Sequence, residues 1–422
     1  MTLSVLQISR FLGIASLLLL SSIIPFHHFI VELGPIQLYR EIFFILFSIL
    51  FIYEFLLHGP VHMKKLRLDV MAFVTFPFLL FLAALYDPLI DLYGYGDSLG
   101  GITNVAVDPR VYVIRNAILY LPMVLYFYFR SISAQEMRFL ALSIASIGPF
   151  SILAYLLYAL KTGGGFGLFL LGDMAESGGA NIAYNSYVPY LCFAVLASIY
   201  VLFSKPSVFI KSIVISAASI TMIFIFLSSS RQTLLYCIII VLIFLAIHSK
   251  QIITTLGTFV VLAVIGLSLF SFLTADRDLN KNLVDKYADA AKTSRVEIML
   301  DGIERISLIG WFTGEGLTSV VNSGPHNDYI RWVQRVGVLF MVISFLPFFI
   351  GARVIFWRVR ISTTHKSEEL FILSALFFVI YNSFFGYPRE DAYQAFFCFL
   401  AMLLYLGFDS RSPRSQVSAL TS

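Results

Sequence analysis

Charge is scarce in this sequence. Asp, Glu, Lys and Arg make up 13% of 422 residues, about half the share carried by a soluble protein. Cysteine is scarcer still. Cys192, Cys237 and Cys398 all sit inside apolar runs, with neither a disulfide framework nor zinc-ligand spacing, so simple packing is their expected role. There is no HExxH, no Walker loop, no paired-cysteine motif and no carboxylate cluster. No metal and no nucleotide cofactor is therefore expected. The short alternating strands of a membrane barrel are also missing. The net charge of +4 gives no reason to expect a nucleic-acid partner.

What is abundant is apolar surface. Hydrophobic residues make up 59% of the chain and mean hydropathy is +0.87. Many runs reach the ~20 residues that a helix needs to cross a hydrocarbon core. Backbone groups inside lipid must be satisfied within their own segment, so these runs should be helices. The expected fold is all-α: a polytopic integral membrane protein with a single membrane domain over 1–422. Twelve candidate spans can be drawn, at about 10–28, 38–58, 68–88, 111–130, 138–160, 182–204, 209–228, 232–249, 252–273, 333–352, 368–386 and 391–408. The seventh and eighth meet at Ser228-Ser229-Ser230-Arg231. Together they run to about forty residues, which suits a tight pair better than one tilted helix. The apolar run after Arg10 is followed by no small-residue cleavage site and reads as a first span, not a signal peptide.

The loops set an orientation. Lys64, Lys65, Arg67, Arg130, Arg138, Lys205, Lys211, Lys250, Arg353, Arg358, Arg360 and Lys366 fall on one side, with Arg10, Arg411 and Arg414 of the two ends. By the positive-inside rule that side is cytoplasmic, and both termini lie there. The opposite loops hold Asp87, Asp91, Asp97 and Asp108, then Asp173 and Glu176. A long loop over 274–332, between spans nine and ten, falls on this outer side too. The glycine-rich stretches 89–109 and 161–181 suit surface-lying or re-entrant segments.

Chemistry is expected in the long outer loop. Ser294 and Glu297 have capping-box spacing, and Val296, Met299, Ile303 and Ile306 recur at helical intervals. Arg295 would then stand in a first helical turn, beside unpaired N–H groups that favour phosphate. An ordinary surface arginine on an amphipathic helix is the plainer reading. Arg231 opens the eighth span from its outer end. A snorkelling anchor explains one such arginine, and a second facing the same compartment raises the interest of both. Gly324-Pro325-His326-Asn327-Asp328 reads as a turn into the tenth span, with Asn327 as N-cap. His326 would lie just outside the membrane, where an imidazole can accept a proton near neutral pH; a histidine donating to a loop carbonyl is the alternative. Arg40, Arg115 and Arg389 also stand at outer span ends, although Arg389 has Glu390 and Asp391 beside it. An outer face has no ATP supply, so a reaction there would use a pre-activated, lipid-borne substrate. Arginines would hold a pyrophosphate leaving group and a base would activate a hydroxyl.

On these residues the sequence resembles the O-antigen ligase and O-antigen polymerase family of bacterial envelopes. The likeness rests on Ser230-Arg231, Ser294-Arg295, Gly314-Glu315-Gly316, His326-Asn327 and Gly337, over about residues 220–345, and on a twelve-span plan with the long loop before span ten. Two positions depart from the family pattern: Trp311 stands where a proline often precedes the glycine pair, and Phe340 where a small residue or tyrosine often follows the Gly337 turn.

The resemblance implies a GT-C-like fold in the bacterial inner membrane, multi-pass, with a periplasmic active face. It also implies metal-free transfer of a glycan from undecaprenyl pyrophosphate to an acceptor hydroxyl. Arg231 and Arg295 would bind the pyrophosphate, and His326 would act as general base. Arg40, Arg115 and Asn327 would be further substrate contacts. Partners would be the lipid-linked donor, membrane lipids, an acceptor (another glycan or a lipid A core sugar), and a chain-length regulator. The Pro325-His326-Asn327-Asp328-Tyr329 run and Phe340 favour a repeat-unit polymerase. A ligase is the alternative within the class. A lipid-linked glycan or solute transporter is the alternative outside it, disfavoured because almost no charge lies at mid-span.

Overall fold

The computed structural model describes residues 67–75, 134–161, 184–204, 206–227, 231–247, 295–316, 327–361, 365–384 and 395–408, with isolated positions 49, 52, 56 and 128. The described residues are mostly helical, with no β-strand among them. The helices are α1 (Ala134–Lys161), α2 (Tyr184–Phe203), α3 (Val208–Leu227), α4 (Arg231–Ile247), α5 (Arg295–Glu304), α6 (Gly310–Thr313), α7 (Asp328–Ile361), α8 (Lys366–Ser383) and α9 (Ala395–Gly407). Seven of the twelve candidate spans, the fifth to eighth and the tenth to twelfth, fall on helices in this set. The pair at 209–228 and 232–249 is two helices, α3 and α4. The first, second, fourth and ninth candidate spans lie essentially outside the described residues, as do the glycine-rich stretches 89–109 and 162–181.

Hydrophobicity decides which helices are central. A helix that is apolar on all sides has to be enclosed. In α2 every residue from Leu191 to Val201 is buried, and in α8 burial is nearly continuous from Glu368 to Ile380. These two helices meet through rings: Tyr200 stacks on Phe371 at 4.9 Å and Phe193 meets Phe378 edge-on at 5.2 Å. Around them, α1, α3, α4, α7 and α9 are packed. Gly148 of α1 faces Thr221 of α3 and Ala194 of α2, where a side chain would not fit. Small residues at such crossings let backbones approach closely. Two tyrosines dock on the α8 backbone: Tyr236 of α4 donates to the Ser374 carbonyl at 2.5 Å, and Tyr329 of α7 to that of Ile380 at 2.9 Å. All three cysteines are free and buried, with Cys192 and Cys237 in contact at 3.3 Å, in keeping with the packing role expected.

The outer helices turn apolar side chains away from this core. Val208, Phe209, Ile213 and Ile220 of α3, Leu235 and Leu242 of α4, and Leu339, Val342, Phe349 and Trp357 of α7 are exposed. Among the described residues, two helical stretches, Val208–Ile225 and Asp328–Ile361, are long and apolar enough to cross a membrane.

Opposite ends of the bundle differ. At one end Tyr405 of α9 donates to Asp69 at 2.5 Å, and Arg67 holds the same carboxylate through Nε at 3.1 Å and Nη2 at 2.5 Å. Arg67 also donates to the Tyr405 hydroxyl. Nearby, Tyr200 donates to Glu368 at 3.4 Å, and Arg138 reaches the same hydroxyl. The ring of His365, at the start of α8, meets Phe408 at 5.8 Å. This is the end at which the sequence places Arg67, Arg138, Arg360 and Lys366. The other end holds α5, α6 and the start of α7.

Candidate functional site

The first turn of α7 is set by Asn327. Its Oδ1 accepts from the Ile330 N–H at 3.1 Å, and its own carbonyl starts the helical ladder by accepting from Arg331 N–H at 3.1 Å. This is the N-cap expected from the sequence, and it satisfies one of the donors a helix leaves orphaned. The Asn327 amide nitrogen faces the Phe384 carbonyl at 3.4 Å, just past the end of α8, and Met299 Sδ at 3.9 Å in α5. One buried amide thus joins three helices. The helix starts at Asp328, five residues before the apolar run at 333, because the cap and not hydropathy fixes its first turn.

α7 is not continuous. Gly337 has φ 82 and ψ 169, which breaks the helix one-third of the way along its 34 residues. Gly314 in the preceding loop has nearly the same geometry, φ 77 and ψ 166. Glycine almost alone tolerates that region of backbone space. The two glycines pack against each other's segments. A Cβ on Gly314 would run into the Arg335 carbonyl, and one on Gly337 into the carbonyl of Phe312. The carbonyls of Gln334 and Arg335, just before the break, accept from the N–H groups of Glu315 at 2.6 Å and Gly316 at 3.2 Å. Gln334 Nε2 donates to the Gly302 carbonyl of α5 at 2.6 Å. The Gly314-Glu315-Gly316 motif is therefore a main-chain clasp on the broken helix.

α5 begins at Arg295, as the capping pattern predicts; Ser294 lies outside the described residues. Ile306 is buried and Met299 and Ile303 half-buried, while Glu297, Asp301, Glu304 and Arg305 face outward. The described part of the expected apolar stripe, Met299, Ile303 and Ile306, is therefore the packed side. Arg231 is the first residue of α4. Tyr236 of that helix lies 5.1 Å from Tyr381, and Tyr329 of α7 lies 4.8 Å from Phe384. The starts of α4 and α7 thus meet the end of α8, and α5 lies against the first turns of α7. Comparison with known protein families finds no matching one, and comparison with curated proteins finds no match either.

Of the residues singled out from the sequence, Arg231 and Arg295 are placed at helix starts, and their side chains lie outside what is described. His326, Arg40 and Arg115 lie outside the described residues altogether; His326 directly precedes Asn327. Asn327 itself is buried, and both ends of its amide are engaged by protein. Among the described residues, no three His, Cys, Asp or Glu side chains gather in a way that could hold a metal ion.

Two arginines escape a reading based on hydropathy. Arg331 and Arg335 are only 7% and 2% exposed, on the same face of α7 as buried Asp328. Spacing of three and four residues puts Asp328, Arg331 and Arg335 in one row. A hydropathy threshold counts their charge and not their placement. Burying a guanidinium is costly unless anions or acceptors surround it, so these side chains belong to a specific polar environment at this end of the bundle.

Proposed function

We propose that the chain is a multi-pass bacterial inner-membrane glycosyltransferase, GT-C-like, with twelve spans and both termini in the cytoplasm. It moves a glycan from undecaprenyl pyrophosphate to an acceptor hydroxyl at the periplasmic face. The reading is that of an O-antigen or other surface-polysaccharide repeat-unit polymerase. One observation supports it above others: the helices opened by Arg231, Arg295 and Asn327 have their starts gathered at one end of the bundle, opposite the end rich in Lys and Arg. The motif resemblance adds the chemistry.

In this mechanism the diphosphate of the donor lies against Arg231 and Arg295, whose guanidiniums stabilise the charge that grows as the anomeric C–O bond breaks. His326 takes the proton of the acceptor hydroxyl as its oxygen bonds to the anomeric carbon from the opposite face, so the centre inverts. Arg331 and Arg335 add positive charge to the same end. Asn327, tied to α5 and to the end of α8, directly follows His326 and acts as a positioning residue. Arg40 and Arg115 are further candidate contacts to the pyrophosphate.

The test is transfer by purified protein in nanodiscs, in EDTA, given an undecaprenyl-pyrophosphate-linked native repeat unit with and without lipid A core. Glycan ladders from donor alone, abolished in His326→Ala, are the expected result. Product only with core present would make the protein a ligase. Absence of transfer under both conditions would overturn the enzyme reading in favour of a transporter.

A further inference from the structure

The segment from Ser307 to Gly314 satisfies its polar groups locally and turns its large apolar side chains Leu308, Ile309 and Phe312 outward. Trp311 N–H donates to Ser307 O at 3.0 Å, Thr313 N–H to Ile309 O at 3.1 Å and Gly314 N–H to Gly310 O at 2.8 Å, so two helical turns are formed around α6. Glu315 folds back to accept from Ser307 N–H at 2.8 Å, and Ser307 Oγ accepts from Gly310 N–H at 2.9 Å. Gly310 is buried and Gly314 fits against the broken turn of α7. The other face carries Leu308, Ile309 and Phe312, which are 83%, 73% and 70% exposed. Phe312 stands four residues after Leu308 and three after Ile309, the spacings that make neighbours on a helix surface, so the three form one patch.

Single exposed apolar residues need no explanation. A contiguous patch does, and its location indicates its occupant. The Phe312 backbone meets α7 at Gly337, and the exposed apolar face of α7 begins two residues later at Leu339 and continues through Val342 and Phe349. The patch and the start of that face therefore lie at one level. On the preceding helix, exposed charge reappears at Asp301, Glu304 and Arg305, with Asp301 and Arg305 paired at 2.6 Å. The change from charged to apolar surface across one turn is what a segment lying in a membrane interface requires.

We propose that Leu308, Ile309 and Phe312 insert into the hydrocarbon edge of the bilayer, so that the outer loop is anchored to lipid and not only to α7. The occupant is the acyl region of membrane lipid. This rests on the membrane reading of α7 but not on the glycosyltransferase chemistry.

The test uses the full-length protein in nanodiscs, with an environment-sensitive bimane on single cysteines replacing Leu308, Phe312, Leu339 or Glu304. The native cysteines are buried, and labelled wild type gives the background. Quenching is read with brominated lipids and with a water-soluble nickel chelate. The expected result is lipid quenching at 308 and 312 within about twofold of that at 339, with 304 quenched only from water. Quenching of 308 and 312 from water alone would overturn the proposal. So would protection from both quenchers, which would mean that protein, such as a second copy of the chain, covers the patch. If 339 itself fails to respond to lipid, the membrane reading of α7 falls and the proposal falls with it. A response at 339 alone overturns only the anchoring of the loop.

Discussion

Around Asp69 the helices are tied by side chains. A buried carboxylate takes a tyrosine hydroxyl and a guanidinium from segments more than three hundred residues apart in sequence. Around Gly337 the ties run through main chain: two carbonyls of α7 accept from Glu315 and Gly316, and two glycines make room for each other. Side-chain ties tolerate some backbone drift, because a long arginine can follow its partner. Main-chain ties between two positive-φ glycines fix the distance and angle between segments far more narrowly. The rigid device is at the end where α5 meets the first turns of α7, which is where precise placement of polar groups would matter for chemistry.

The comparison is sharpest in transfer assays. His326→Ala should lower transfer by about 10²–10⁴-fold, the contribution of a general base, with thermal unfolding in detergent unchanged. Asp69→Ala should do the reverse, lowering the unfolding midpoint while transfer per folded molecule stays near wild type. Loss of transfer in Asp69→Ala at full folding would erase the distinction between the ends.

Next in size are the glycines. Gly337→Ala and Gly314→Ala each force a Cβ into a Gly-only conformation and against a carbonyl, and should each cost about 3 kcal/mol or more. Both disrupt one clasp, so the double variant should cost clearly less than the two single costs together, as a double-mutant cycle in chemical unfolding would reveal. Additive losses would mean that the clasp is not a single contact. At the other end, Asp69→Ala should cost about 2 kcal/mol for the lost charged hydrogen bonds, and Tyr405→Phe about 1 kcal/mol. The cap is smaller again: Asn327→Ala should cost about 1 kcal/mol, and Asn327→Asp should recover much of the capping. Removing the exposed Asp301–Arg305 pair by Arg305→Ala should change stability by under about 0.5 kcal/mol. A larger loss there would show that α5 relies on its solvent face.

Much of the helical plan was legible before any coordinates. Hydropathy located the helices now seen at α1 to α4 and α7 to α9, with ends mostly within a few residues. Ser228 to Arg231 marked the separation of α3 from α4, and capping chemistry marked the starts of α5 and α7. What local pattern could not reveal was pairing at a distance. Nothing near Gly314 announces that its partner is the turn before Gly337, since a glycine's φ is set by the segment it meets. Asp69 and Tyr405 carry no mutual signal either. Arg331 and Arg335 were missed for another reason: the span drawn by apolar content from 333 left Arg331 outside and enclosed Arg335 without weighing its placement, although the spacing from Asp328 was there to read. The arginines at 231 and 295 were placed on helix starts by sequence alone, and that much the fold bears out.

The clasp between Gly314 and Gly337 also carries an order of events. A ribosome makes Gly314 before Gly337, so the loop leaves the tunnel ahead of the helix that seats it. It can settle only when the later helix has been threaded and has bent at its glycine. Until then the apolar side chains at 308, 309 and 312 are without support from α7. Assembly of the outer face is thus a late step, and a change that straightens α7 should leave most of the bundle made and the loop unmoored.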